Sequence, residues 1–185
     1  MQLQNSGDNN KKGTNRPDRL TAVLFIIYLV ALCWILMFKL GVRFSYMENR
    51  RINLIPFRKF LFSNGKIDTG ETILNIIIFI PLGIYTGILF KRRLFRNKIL
   101  LFFSISLLFE VLQFIFRAGA FDITDIITNT SGGLIGLLLF ELTDKIFNNT
   151  AKTQKFINII AVTGTVLIIS LLLLLKLNML PVRYQ

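Results

Sequence analysis

An all-α, polytopic integral membrane bundle of about five transmembrane helices is the fold this sequence predicts. Three observations predict it. The 185 residues are 53% hydrophobic with a mean hydropathy of +0.59, more apolar bulk than a soluble domain of this size needs. The apolar residues fall into long runs, each near the length that crosses a bilayer. The net charge of +12 is divided among short segments between those runs, which suits loops at an anionic lipid surface and speaks against nucleic-acid binding. The chain has no histidine, which excludes His-based catalysis and His-ligated metals. Its one cysteine, Cys33, sits inside an apolar run and allows no intrachain disulfide.

Residues 1–19 are polar and read as a disordered cytoplasmic tail. The uncharged run 20–38 is the first span. It is long for a signal peptide, and Lys39-Leu-Gly-Val-Arg43-Phe after it lacks a small-residue cleavage pattern, so it reads as an uncleaved anchor. Residues 39–71 form a basic loop with an apolar island, Asn53-Leu-Ile-Pro56-Phe57, in which Pro56 blocks a continuous helix. Spacing alone favours an interfacial loop that dips apolar side chains among lipid headgroups. The alternative is a loop that lies over the helices and helps form a site.

The second span, 73–90, contains Asn75, Pro81, Gly83 and Gly87. Asn75 reads as a helix cap or as a hydrogen-bonding group across the bundle. Pro81 frees a carbonyl that must find a partner. Gly83 and Gly87 form a small-xxx-small pair that permits close helix approach, and Gly132 and Gly136 repeat it in the fourth span. The third span, 99–116, is interrupted by Glu110 and Gln113. The fourth runs from about Asp122 to Phe140, with Asp122 as N-cap and Asp125 at the third helical position. A polar connector follows at 141–155, then a fifth span, 156–175, rich in Leu and Ile and read as a packing or lipid-facing helix without chemistry.

Most of the polar groups that an apolar bundle would have to bury lie between Glu110 and Gly136. Glu110, Gln113 and Arg117 are spaced i, i+3, i+7 and fall within roughly 60° of one helix face. Asp122, Asp125 and Asn129 repeat that spacing beyond a turn near Gly119. In an antiparallel hairpin Arg117 then faces Asp122 in depth, and Glu110 faces Asn129. A neutral Glu110 would donate to Asn129, and an ionised one would need Arg117. Ionisable groups inside a membrane are costly and by default mark a functional site. Lys91, Arg92, Arg93, Arg96 and Lys98 crowd one short loop whereas the next holds Arg117 alone, which predicts an internal N-terminus and an outward-facing hairpin end.

The ordered set Asn53-Leu-Ile-Pro56-Phe57, Asn75-Ile-Ile-Ile-Phe79-Ile-Pro81-Leu-Gly83, Glu110-x-x-Gln113, Arg117, Asp122-x-x-Asp125 and Asn129-x-x-Gly132-Gly133 with Gly136 resembles the VanZ-like family. The resemblance covers 53–140, within an expected core of 39–140 made of the basic loop and three spans. It implies a small polytopic membrane protein of the Gram-positive cell envelope, associated with resistance to the glycopeptide antibiotic teicoplanin.

Three readings of the polar hairpin follow. One is a non-enzymatic resistance protein at the outer leaflet, which binds lipid-linked cell-wall precursor or hinders a lipoglycopeptide from anchoring; Arg117 and the basic loop would hold phosphate groups there. The alternative is a membrane enzyme acting on a lipid or lipid-linked substrate, with Glu110, Asp122 or Asp125 as general base or as Mg²⁺ ligands. The third is a polar face that only glues two helices together, at about 0.6 kcal/mol per hydrogen bond. The expectation is no resident cofactor or metal. The expected partners are membrane lipids, the lipid-linked ligands named above, no nucleic acid, and a homo-oligomer as an open alternative.

Overall fold

The computed structural model describes residues 18–38, 52–57, 69–116 and 119–176. The expected tail as far as residue 17, most of the basic loop and Arg117 lie outside these residues; Arg19, the last residue of the expected tail, already opens the first helix. The described chain folds into helices α1 (Arg19–Phe38), α2 (Thr69–Leu89), α3 (Phe95–Ile115), α4 (Ile123–Phe147) and α5 (Thr150–Lys176). Two short strands, β1 (Ile52–Asn53) and β2 (Phe121–Asp122), pair in parallel. By length and composition α1 to α4 can each cross a membrane. α5 is helical through the expected fifth span.

The expected 141–155 connector is mostly helix. No Gly or Pro interrupts Glu141 to Phe147, so α4 outruns its apolar stretch. The break is confined to Asn148, left-handed at φ 45°, and Asn149, whose side chain accepts from the N–H groups of Ala151 and Lys152 at 3.0 and 3.2 Å. Lys91 ties this corner to the α2–α3 turn through Asp144 and Thr150, both at 2.6 Å.

The intimate helix pair is α2 and α4, not the sequential hairpin α3–α4. A side chain at Gly132 would fall on the carbonyl oxygen of Ile76, one at Gly136 on that of Ile80, and one at Gly83 on that of Gly133. The two backbones therefore touch, with Cα–H groups facing carbonyl oxygens, a contact that adds to dispersion where no hydrophobic drive separates helix from lipid. Gly87 makes room for the ring of Phe140, and Gly133 for that of Phe102. Leu32, Leu36, Phe79, Leu82, Phe102, Phe109 and Leu137 close the core around this seam. Val23, Ile26, Ile27, Val30 and Trp34 cover the exposed side of α1, as a lipid-facing surface requires.

Pro81 lies inside α2 and gives no N–H to Ile77. The Tyr28 hydroxyl on α1 donates to the adjacent Ile78 carbonyl at 2.8 Å, so a partner arrives next to the interrupted ladder. α1 and α5 are joined by a polar clasp that spacing arguments along the sequence overlook. The amides of Gln154 and Asn158 donate to Thr21 Oγ1 at 2.7 and 2.9 Å, and all three residues are buried. The signal was present: Gln154 and Asn158 are four residues apart, on one helix face.

Candidate functional site

The site forms where α3 gives way to α4. Asp122 stands in extended conformation at φ −127° and caps α4, its Oδ1 accepting from the Thr124 N–H at 2.8 Å. Its own N–H donates to Glu110 Oε2 at 2.9 Å, so a carboxylate from α3 fixes the entry to α4. Glu110 is 2% exposed. Neither Glu110 nor the buried Asp125 is a free carboxylate, since both have further interaction partners.

The Asn53–Phe57 segment lies over this junction. Asn53 pairs in register with Asp122 across β1 and β2, and its Nδ2 donates to Asp122 Oδ2 at 3.0 Å. Pro56 fixes its own φ, and Phe57 follows in the left-handed region at φ 55°. An aromatic residue there costs on the order of 1–3 kcal/mol and persists only where neighbours hold it. The Phe57 N–H is held by Thr124 Oγ1 at 3.0 Å. Of the two courses open to this loop, it takes the one that covers the hairpin. Leu54, Ile55 and Phe57 nonetheless keep exposed apolar side chains, so the segment is polar inward and apolar outward.

Of the two partners open to Glu110, Arg117 lies outside the described residues, and the depth-matched Asn129 is not bonded to it. Asn129 donates instead to Ser106 Oγ at 3.0 Å, one turn deeper on α3, while Glu110 Oε2 accepts from the Asp122 N–H at the turn. Ser106 was missed, although it sits four residues before Glu110 on the same face. Gln113 turns away from α4 and donates to the Leu36 carbonyl of α1 at 2.6 Å. Asn75 is buried well inside α2, so it is not that helix's cap; the parallel seam, with Gly132 on Ile76, puts it near the level of Ser131, about half a turn from Asn129. Gly83, Gly87, Gly132 and Gly136 line the seam below.

Several buried polar atoms at this end have no hydrogen-bond partner among the described residues: Asn53 Oδ1, Asn75 Nδ2, Gln113 Oε1, Asn129 Oδ1 and Thr130 Oγ1. Buried groups of this kind are normally met, so these retain capacity for water or for the polar part of a ligand. Among the described residues no group of three or more His, Cys, Asp and Glu is placed to hold a metal. A Mg²⁺ set built from Glu110, Asp122 and Asp125 therefore has no support in the geometry. What the arrangement offers chemically is a set of hydrogen-bond donors and acceptors at one end of a bundle, under a segment with an apolar outer side.

No solved structure matches the chain. Protein VanZ of Enterococcus faecium is 40% identical over 157 residues, spanning 83% of this chain and 91% of its own length. The VanZ/LLP1 family model matches residues 25–148, which hold α2, α3, α4, both strands and every residue of the site. With that match over most of its length, the chain is a membrane protein of the VanZ/LLP1 family.

Proposed function

We propose that the chain is a non-enzymatic glycopeptide-resistance protein that protects against teicoplanin at the outer leaflet of the membrane. The observation that carries this reading is the buried Glu110–Asp122–Asn53 junction with unused amide valences around it, roofed by Leu54, Ile55 and Phe57. Such a site accepts a polar headgroup below and an acyl chain beside it, the two halves of a lipid-linked cell-wall precursor or of a lipid-tailed antibiotic. The similarity to Protein VanZ agrees with the family resemblance, and it is that resemblance which implies the association with teicoplanin. Orientation is part of the proposal: with the N-terminus inside, this end of the bundle opens outward, and by sequence order Arg117 and the basic loop 39–71 belong to the external segments, where a guanidinium suits phosphate.

Binding is favoured over catalysis because the carboxylates are committed. Asp122 caps α4 and holds Asn53, and Glu110 holds the Asp122 backbone. Ser106, the hydroxyl nearest in the pattern, is fully buried and accepts a hydrogen bond from Asn129. The test is drug susceptibility of a sensitive Gram-positive host expressing the chain. The inhibitory concentration of teicoplanin is expected to rise well beyond that of vancomycin, which has no lipid tail. Equal protection against both drugs, or against neither, would sink the proposal.

A further inference from the structure

We infer that the opposite end of the bundle binds the phosphate of an anionic lipid headgroup in a groove between α2 and α3. The groove encloses about 230 Å³ and is lined by Thr86, Phe90, Arg93, Asn97, Lys98 and Leu101. A short basic turn needs only exposed charge to orient a membrane protein. Two features here go further. Lys98 is only 7% exposed, and it pairs with no carboxylate among the described residues; Asp144, the acid of this corner, is taken by Lys91. Thr86 is fully buried, lines the groove, and its hydroxyl has no hydrogen-bond partner among the described residues.

The start of α3 adds to the anionic preference. Its N-cap is Leu94, which offers no side-chain acceptor; the Leu94 carbonyl takes the Asn97 N–H at 3.0 Å, and the N–H groups of Phe95 and Arg96 before it have no side-chain cap and present partial positive charge. A hydroxyl, an ammonium and a guanidinium around one groove match the oxygens of a phosphate. The source of that phosphate is a lipid and not a soluble ester. Phe90 and Leu101 form apolar walls of the groove, and Leu94 and Phe95 are exposed beside it, so acyl chains would continue the lipid-facing surface. Basic pockets between membrane helices recognise anionic headgroups in this way.

The experiment is a thermal-shift titration of the full chain in neutral detergent with phosphatidylglycerol, phosphatidylcholine of the same chains, and glycerol phosphate. Phosphatidylglycerol is expected to raise Tm saturably, and the other two to leave it unchanged. Lys98→Gln and Thr86→Val should each raise the phosphatidylglycerol midpoint about fivefold or more. Lys98→Arg keeps the charge and should stay near the wild type. Arg92→Gln, exposed and off the groove, should stay within about twofold. The proposal fails if Arg92→Gln weakens binding as much as Lys98→Gln, since diffuse charge then suffices. It fails equally if glycerol phosphate reproduces the shift, or if phosphatidylglycerol gives none. Thr86→Val, which changes no charge, keeps the test decisive if Lys98→Gln does not fold.

Discussion

Gly136→Val is expected to remove the folded protein from the membrane rather than to weaken it. The Cβ of any side chain at this position falls on the carbonyl oxygen of Ile80, and backbone cannot turn aside as a rotamer can. Ordinary overpacking in a core costs about 1–3 kcal/mol because neighbouring side chains yield. Here α2 and α4 must separate along the whole seam, which also lifts Gly132 off Ile76 and Gly83 off Gly133. The loss approaches the total stability of a small domain, about 5–15 kcal/mol. Gly164→Val in α5 is the matched control, since nothing lies within 4 Å of a Cβ there. Size-exclusion profiles of the detergent-solubilised chains measure the outcome. A monodisperse Gly136→Val peak at the wild-type level would show that the seam is not where the structure puts it.

Glu110→Ala should be the second most damaging change, by about 3 kcal/mol or more. It strands the buried Asp122 N–H, worth about 1–3 kcal/mol, opens a cavity in α3, and removes the further interactions that Glu110 makes. The damage spreads because Asp122 joins three elements: it caps α4, pairs β2 with β1 and holds Asn53. Glu110→Gln keeps the shape and one carbonyl oxygen for the Asp122 N–H, so its Tm should fall much less. Thermal unfolding in nanodiscs separates the two variants. An alanine variant as stable as the glutamine variant would mean that the junction does not depend on this acceptor.

The first four spans were legible because apolar run length is a one-dimensional signal, and the N-cap at Asp122 because a carboxylate before a helix acts locally. The glycine spacing announced close packing but not its partner. Gly83 and Gly133 meet across a span that lies between them in sequence, and no periodicity records that. The same holds for the two-residue pairing of Asn53 with Asp122, too short to carry an alternating pattern. Glu110 and Asn129 do lie on neighbouring helices, as their mirror spacing about the turn suggests. They do not bond to each other: Glu110 Oε2 takes the Asp122 N–H, freed at a helix start, and Asn129 turns to Ser106, neither of which the mirror spacing records.

The Glu110–Asp122–Asn53 junction would then be where the protein works as well as where it is fastened. The most direct test is the teicoplanin inhibitory concentration of a sensitive host carrying Glu110→Gln at a membrane level matched to the wild type. Loss of protection by a chain that is present and folded is the predicted result. Protection equal to the wild type would contradict it, and would leave the Glu110 carboxylate with a structural role alone.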